Sequence, residues 1–386
     1  MVVGGPPPSR LWRATSPAGA GEARVRVAYR LGMRETDVVI VGAGPIGIEL
    51  AAALKQAGMD YLHLEAGQVG ATMQWWAPGT KYFSSPERIE IAGVPLIVHS
   101  EEKATRENYL EYLRAVVGTH KLDIETYTRV MRIEKDADGF VVHGARSFHG
   151  VGGEEELGFD PDALGALEPI RARRIVLAIG DMHLPRMLGV AGEDLPHVSH
   201  YLGDVHQYAN QPVVIVGGKN SAVEAAIRLF RAGARVTMVH RGEWFDPDRI
   251  KYWLYPEIEY LIKKEKIRYI ANANLTEITP THAAIDTGES IEARFVLLLT
   301  GYVQKPDLFE QLGVELVGDD RKPRHDLKTM ETNVASVYVA GTGSAGSQSR
   351  TKVFIETSHV HVDRILASLQ GRVSDVTAED YTLEES

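Results

Sequence analysis

The chain has 386 residues, 44% hydrophobic and 24% charged, which is the composition of a globular protein of about two domains rather than of a disordered or coiled-coil chain. Its 52 acidic residues outnumber 42 Lys and Arg residues, and the resulting net charge of −10 disfavours nucleic-acid binding, because phosphates would be repelled. The absence of cysteine excludes disulfides, thiolate metal sites, iron–sulfur clusters and a cysteine nucleophile within this chain.

Residues 1–34 differ in composition from the rest of the chain. They contain Pro6 to Pro8 and six arginines, against Glu22 as the single acid. This pattern predicts a disordered extension or a start site upstream of the true one at Met33, and an Arg-rich organellar targeting segment is the alternative. No run of about 18 apolar residues suggests a membrane span, so we expect a cytoplasmic protein without membrane contact.

The first recognisable unit begins after this extension. Residues 37–44 (DVVIVGAG) predict a buried strand that ends in glycines, 46–58 predict a helix closed by Gly58, and 61–67 predict a second strand. A strand, a helix and a strand over about thirty residues form the nucleotide-binding βαβ unit.

The turn between the first strand and the helix contains Gly42, Gly44 and Gly47 in the spacing G-x-G-x-x-G. These glycines permit a tight turn, close approach of a pyrophosphate, and close packing of helix on strand. Glu65, at the end of the second strand, is expected to accept hydrogen bonds from both hydroxyls of an unphosphorylated adenosine ribose. The first unit therefore predicts a site for a dinucleotide without a 2′-phosphate, most simply FAD.

A second copy of the unit follows the apolar strand 173–180 (RRIVLAIG). Residues 212–218 and 235–241 predict strands, and 220–232 predict the helix between them. His240 and Arg241 stand where the first unit has its acid, and they favour a dinucleotide with a 2′-phosphate, NADPH. Arg249 or Lys251 could reach the same phosphate, although a solvated surface charge is the simpler reading for both.

The second glycine turn departs from the fingerprint. It reads Gly217, Gly218, Lys219, Asn220 and Ser221, so that a lysine replaces the glycine of close approach. Either the pyrophosphate lies further out and the ammonium of the lysine helps to neutralise it, or this unit has lost nucleotide binding.

Two further apolar strands end in glycine, at 295–301 and 336–343, and a helix is predicted from about Thr351. The positive end of this helix, or Lys352, could stabilise negative charge that develops on a flavin. Trp75, Trp76, Tyr82 and Phe83 could form a wall of the flavin site or simply belong to the core.

The predicted fold is α/β, with two Rossmann-like dinucleotide-binding domains and a discontinuous FAD domain that contains an inserted NADPH domain. We expect the FAD domain in 35–190 and 301–371, the NADPH domain in 191–300 and a flexible tail in 372–386.

The order GAGPIG, Glu65, LAIG, GGKNSA, HR, TGY and VYVAG resembles the two-dinucleotide flavoprotein superfamily of thioredoxin reductases, over about 340 residues. The segments 80–96, 198–208, 213–226 and 352–361 are similar to the bacillithiol-disulfide reductase family. The resemblance implies FAD, NADPH and a low-molecular-weight disulfide substrate. The FAD-binding residues expected on this basis are Gly42, Gly44, Pro45, Ile46, Gly47, Glu65, Ala66, Trp76, Phe83, Val130, Ala178, Gly180, Gly341, Thr342, Thr351 and Lys352. Those expected for NADPH are Gly217, Gly218, Lys219, Asn220, Ser221, His240, Arg241, Thr300 and Gly301.

The chain departs from these relatives at points that bear on chemistry. The families place cysteines in the second domain or inside the first glycine turn, where this chain has Ile46, so a covalent disulfide relay is missing. Thr342 replaces an aspartate that many relatives bond to the ribityl chain. Cysteine-free alternatives are a thioredoxin-reductase-like ferredoxin or flavodoxin reductase, a flavin monooxygenase, and a catalytically degenerate nucleotide-sensing flavoprotein.

The sequence therefore predicts an NADPH-dependent FAD oxidoreductase that reduces a small-molecule or small redox-protein acceptor, most simply a low-molecular-weight disulfide. Hydride transfer between nicotinamide and flavin needs stacking and exclusion of water rather than a side-chain acid or base, so no catalytic residue is named. His359 and His361 have a spacing that suits a metal pair poorly, and no metal site is predicted. A homo-oligomer is expected.

Overall fold

A computed structural model describes residues 33–99, 102–153, 165–348 and 353–377. Its strands, in chain order, are β1 (Arg34–Val41), β2 (Tyr61–Leu64), β3 (Thr128–Asp136), β4 (Gly139–Arg146), β5 (Ile170–Leu177), β6 (Leu184–Pro185), β7 (Val198–Ser199), β8 (Pro212–Val216), β9 (Arg235–Val239), β10 (Arg268–Ile270), β11 (Leu275–Ile278), β12 (His282–Ile285), β13 (Ser290–Glu292), β14 (Phe295–Leu298), β15 (Tyr302–Val303), β16 (Leu316–Val317), β17 (Lys322–Pro323) and β18 (Val337–Val339). Its α-helices are α1 (Pro45–Gln56), α2 (Ala71–Gln74), α3 (Pro86–Ile89), α4 (Arg106–His120), α5 (Asn220–Arg231), α6 (Tyr255–Lys263), α7 (Asp307–Gln311) and α8 (His359–Leu369).

The first sheet has the strand order β2-β1-β5-β4-β3, and β18 also pairs with β5. Strands β1, β2, β5 and β18 run parallel, so that their carboxyl ends meet at one edge, whereas β4 pairs antiparallel with β3 and β5. Val38, Val39 and Ile40 are fully buried because both faces of this sheet are covered. Helices α1, α4 and α8 contribute to the same apolar core.

The second sheet has the strand order β10-β9-β8-β14-β7, and its strands are parallel. Helices α5 and α6 cover one face with a core of their own, and the antiparallel sheet β11-β12-β13 packs its apolar residues against the other. The strands of the second sheet lie between β5 and β18 in the sequence, while β5 and β18 pair in the first sheet. The predicted α/β fold with two Rossmann-like units is confirmed.

Several predicted boundaries need correction. Strand β1 starts at Arg34, whose guanidinium is hydrogen-bonded to the carboxylate of Glu125, so this residue belongs to the fold rather than to the extension. The second predicted strand ends at Leu64 rather than at Gly67. Residues 1–32 of the predicted extension and 378–386 of the predicted tail lie outside the described residues.

The helix predicted from about Thr351 is wrong in its start, because α8 begins at His359. Residues Phe354 to Ser358 form a turn in which the hydroxyls of Thr357 and Ser358 bond to backbone groups of Phe354. Such local side-chain bonds compete with helix formation. Thr351 and Lys352 themselves lie outside the described residues, so their predicted contact with the flavin has no structural counterpart here.

Within the described part of the chain, no helix combines the length and the apolar character needed to cross a membrane.

Candidate functional site

A cavity of about 1470 Å³ lies at the carboxyl edge of the first sheet. It extends from the turn after β1 to the first residues of α5 in the second unit, where Lys219, Asn220 and Ser221 line it. Open α/β sheets bind ligands outside the carboxyl ends of their strands, and drug-sized ligands occupy roughly 300–1,000 Å³. The cavity is therefore placed and sized for a ligand as large as a dinucleotide.

The three glycines of the first turn have separate structural reasons. A Cβ atom on Gly42 would lie 2.5 Å from the carbonyl oxygen of Ala178, and one on Gly47 would lie 2.1 Å from the carbonyl oxygen of Gly42. A Cβ atom on Gly44 would meet no atom within 4 Å, because this residue lines the cavity at the N-cap of α1. Gly42 and Gly47 thus keep the turn tight, while Gly44 leaves open the space where a phosphate can approach the helix N-terminus.

Two backbone amides hold the side chain of Glu65, one from the first glycine turn and one from the segment that follows β2. Its Oε2 accepts a hydrogen bond of 2.6 Å from the amide of Ala43, and its Oε1 accepts one of 2.8 Å from Gly67. The side chain is 8% exposed, and this burial raises its pKa against the opposing effect of the two amides. Each oxygen keeps a free lone pair, so the carboxylate is fixed in position and can still accept ribose hydroxyls.

The predicted FAD-binding residues that the structure describes all line this cavity. Those that line it are Gly42, Gly44, Pro45, Ile46, Gly47, Glu65, Ala66, Trp76, Phe83, Val130, Ala178, Gly180, Gly341 and Thr342. Trp75 and Tyr82 line it too, and Tyr82 also belongs to the apolar core. Contact between these aromatic residues and a flavin stays a prediction.

The residues after β18 are fixed by contacts that the sequence did not predict. The backbone amide of Gly341 donates to Nδ1 of His361 over 3.1 Å, and burial lowers the pKa of this histidine to about 3, so it is a neutral acceptor. The side-chain amide of Gln304 donates to the carbonyl oxygens of Gly180 (2.9 Å) and Gly343 (3.0 Å). Gln304 therefore ties together the segments that follow β5 and β18.

Because the side chain of Gln304 donates to two carbonyl oxygens, a negative charge at this position should destabilise the fold. Gln304 is 6% exposed, and a Gln304→Glu substitution would direct a carboxylate of the same shape at two carbonyl oxygens. We expect it to lower the free energy of unfolding by about 3 kcal/mol. Urea unfolding should show a smaller deficit at pH 5 than at pH 8, because protonation restores one donor. A deficit that does not depend on pH would contradict this role of the amide.

The glycines of the second turn pack closely against the backbone of Leu299 and the ring of His240. A Cβ atom on Gly217 would lie 2.5 Å from the carbonyl oxygen of Leu299, and one on Gly218 would lie 2.2 Å from Nε2 of His240. The imidazole thus lies against the turn, and its Nδ1 is 2.8 Å from the hydroxyl of Tyr269. Burial, and then the charge of Arg241, lower the pKa of His240, which favours the neutral imidazole.

Six of the nine predicted NADPH residues do not line the cavity. These are Gly217, Gly218, His240, Arg241, Thr300 and Gly301, whereas Lys219, Asn220 and Ser221 do line it. Asn220 already uses its side-chain oxygen to accept a 2.6 Å hydrogen bond from the amide of Lys251.

Cationic side chains surround the second turn. The pKa of Lys219 is lowered by burial and by the charges of Arg249, Arg241 and Arg186. Arg186 was not predicted, but the hydroxyl of Thr300 donates to its carbonyl oxygen, which places it next to the carboxyl end of β14. Mutually repelling cations at this edge favour an anionic ligand.

Lys251 is not the surface charge that the sequence suggested. It is 8% exposed, and its ammonium lies 2.8 Å from Oε2 of Glu224 and 2.7 Å from the carbonyl oxygen of Lys81. Because the ammonium group already makes these two contacts, Lys251 is a poor candidate for binding a phosphate. Arg249 is exposed and lies 3.1 Å from the carboxylate of Asp246.

No cluster of His, Asp and Glu that could hold a metal ion occurs among the described residues, and the whole sequence lacks cysteine. Ile46, which stands where related proteins have a cysteine, lines the cavity in the first turn. It packs close to Gly341, since a Cβ atom on Gly341 would lie 3.4 Å from the Cβ atom of Ile46.

Comparison with known proteins agrees with this arrangement. Residues 39–148 and 166–341 match the family model described as pyridine nucleotide-disulphide oxidoreductase. The chain is 33% identical to bacilliredoxin reductase Bdr of Bacillus subtilis (strain 168), over 88% of this chain and 99% of that protein. It is 30% identical to a ferredoxin–NADP reductase of Ignicoccus hospitalis, over 79% and 89% of the two chains.

A solved structure gives the same result. Bacillithiol disulfide reductase Bdr (YpdA) from Staphylococcus aureus is 31% identical and superposes with a TM-score of 0.78, covering 88% of this chain and 99% of that one. The predicted resemblance and the predicted enzyme class are confirmed. The chain belongs to the pyridine nucleotide-disulphide oxidoreductase family, and it is an oxidoreductase of the FAD- and NADPH-dependent kind.

Proposed function

We propose that the chain takes electrons from NADPH and delivers them to a low-molecular-weight disulfide. The observation that carries this proposal is that one cavity extends from the first glycine turn to the start of α5. Bound FAD would supply the chemistry of two-electron transfer between nicotinamide and acceptor. The chain itself would hold the cofactor through Gly44, Glu65 and Thr342, orient the nicotinamide dinucleotide at the second turn, and exclude water.

The overall reaction balances without a residue that changes redox state. NADPH, one proton and the disulfide give NADP⁺ and two thiols. Because the chain has no cysteine, no disulfide between enzyme and substrate can form, and the electrons must reach the substrate without a protein thiol. The relatives named for bacilliredoxin and bacillithiol disulfide support this class of acceptor.

A small redox protein is the second candidate acceptor. The lack of cysteine favours it, because single-electron delivery to a protein carrier needs no thiol, and the relative named ferredoxin–NADP reductase is 30% identical. The net charge of −10 counts against an acidic carrier, because like charges slow the encounter.

We also propose the domain division that follows from this function. The FAD domain would comprise 35–190 and 301–371, and the NADPH domain 191–300. The support is that β8, β9, β10 and β14 belong to one sheet, while β5 and β18 pair in the other.

An anaerobic titration tests the proposal. We expect the purified protein to have a yellow flavin absorbance that bleaches with NADPH at lower concentration than with NADH. Oxidised bacillithiol should then restore the absorbance, with oxidised ferredoxin and oxidised glutathione as comparison acceptors. Reoxidation by ferredoxin alone would favour the second candidate, and a flavin that stays oxidised under NADPH would refute both.

A further inference from the structure

The strand order of the first sheet places the parts of a dinucleotide in sequence along its edge. Glu65 follows β2 and the glycine turn follows β1, so the adenosine ribose and the pyrophosphate would occupy neighbouring positions. The next strand is β5, which also carries β18. Neighbouring strands are about 4.8 Å apart, so the end of β5 is roughly 10 Å from Glu65, on the far side of the pyrophosphate.

Asp181 lies in the segment that follows β5. It comes directly after Gly180, four residues beyond the last residue of β5, lines the cavity, and was not singled out by any motif. Its carboxyl is hydrogen-bonded to the hydroxyl of Thr342, which follows β18, and its Oδ2 accepts a 2.9 Å hydrogen bond from the side-chain amide of Gln348. The two strand ends thus present one carboxyl and one hydroxyl, side by side, to the same part of the cavity.

The surroundings of Asp181 point to a ligand that donates hydrogen bonds. Among the described residues, the side chains that bond to this carboxyl are neutral, and burial raises its pKa. Asp181 is half-buried at the wall of the cavity, and a carboxylate that is withdrawn from water is costly unless donors satisfy its lone pairs. A chain of hydroxyl groups beyond the pyrophosphate would provide such donors.

We propose that Asp181, together with Thr342, binds the hydroxyls of the ribityl chain of FAD. Thr342 donates to Asp181 and can accept from the same polyol, so the pair acts as one polar anchor contributed by two strands. The threonine at 342 is therefore compensated by a carboxyl from the neighbouring strand. This inference rests on the proposed binding of FAD in the cavity.

The test compares FAD with ADP, which lacks the ribityl chain. The affinity for FAD is measured by the recovery of flavin fluorescence as the holoprotein is diluted, and the affinity for ADP by its ability to displace FAD. Asp181→Asn should weaken FAD binding roughly ten- to hundredfold through loss of a charge-assisted hydrogen bond, and leave ADP affinity unchanged. Thr342→Val should weaken FAD binding by a smaller factor, again without an effect on ADP.

Two control variants separate binding from structure. Glu65→Gln should weaken FAD and ADP together, because it acts on the adenosine end. Gln348→Ala removes a partner of Asp181 without removing the carboxyl, and it should change FAD affinity less than Asp181→Asn does.

Three outcomes would overturn the inference: unchanged FAD affinity in Asp181→Asn, equal losses for FAD and ADP, or an equal loss in Gln348→Ala. A wild-type protein that binds no FAD would instead refute the proposed function.

Discussion

Replacing Gly44 with alanine is expected to weaken FAD binding by roughly thirtyfold or more, about 2 kcal/mol, while the protein without FAD loses about 1 kcal/mol of stability at most. The added Cβ atom meets no protein atom within 4 Å, and the backbone at Gly44 has φ −75°, which alanine adopts freely. The space that it enters belongs to the cavity, at the helix N-terminus where the pyrophosphate is proposed to lie. Steric cost therefore arises only when the ligand is bound.

Thermal unfolding with and without added FAD checks this prediction. A ligand that binds the folded state raises the melting temperature, so wild-type protein should be stabilised by FAD and Gly44→Ala much less so. Without FAD the two should differ by about 1 kcal/mol at most, the cost of alanine at an N-cap.

Two other glycines provide matched controls. Gly47→Ala should lose stability as well as binding, because its Cβ atom would lie 2.1 Å from the carbonyl oxygen of Gly42. Gly118→Ala, on the exposed side of α4 with no neighbour within 4 Å, should leave FAD binding unchanged. Equal FAD affinity in Gly44→Ala and wild type would contradict the assignment of the first turn.

The strands and turns of the two units could be predicted from sequence because their causes are local. Apolar runs such as 37–41 are long enough to specify buried strands, and the spacing of Gly42, Gly44 and Gly47 requires a particular turn whatever packs around it. The predicted FAD-binding residues that lie within the described part of the chain line one cavity. This could also be predicted, because parallel strands bring their carboxyl ends together at one edge of the sheet.

The residues that sequence reasoning missed depend on contacts between distant segments. Lys251 looked like a surface charge because its partner Glu224 is 27 residues away on α5. Asp181 had no motif around it, although an acid directly after a strand that ends in glycine could have been noticed. Gln304 acts through two carbonyl groups that only the pairing of β5 with β18 brings together.

Arg241→Ala is expected to raise the KM for NADPH by roughly thirtyfold, about 2 kcal/mol, and to leave the KM for NADH nearly unchanged. Arg241 follows β9 directly after His240, whose ring lies against the second glycine turn, so its guanidinium is exposed beside the place proposed for the adenosine ribose. A 2′-phosphate there can form two charge-assisted hydrogen bonds with a guanidinium, and NADH has no such group.

Lys219→Ala gives the informative contrast. Lys219 lines the cavity at the N-cap of α5, where a pyrophosphate common to both dinucleotides would bind, so its loss should raise the KM for NADPH and for NADH by similar factors. Arg235→Ala is the control for general loss of charge, because this arginine lies at the start of β9 near Glu292 and far along the strand from the turn. It should change neither KM.

Steady-state kinetics with both dinucleotides at two salt concentrations would decide between these roles. The wild-type preference for NADPH should decrease as salt screens the exposed arginine, and Arg241→Ala should remove most of that dependence. Equal effects of Arg241→Ala on NADPH and NADH would mean that this arginine does not contact the 2′-phosphate. Because Arg249 is already paired with Asp246, Arg186 would then be the next cation to test near Thr300.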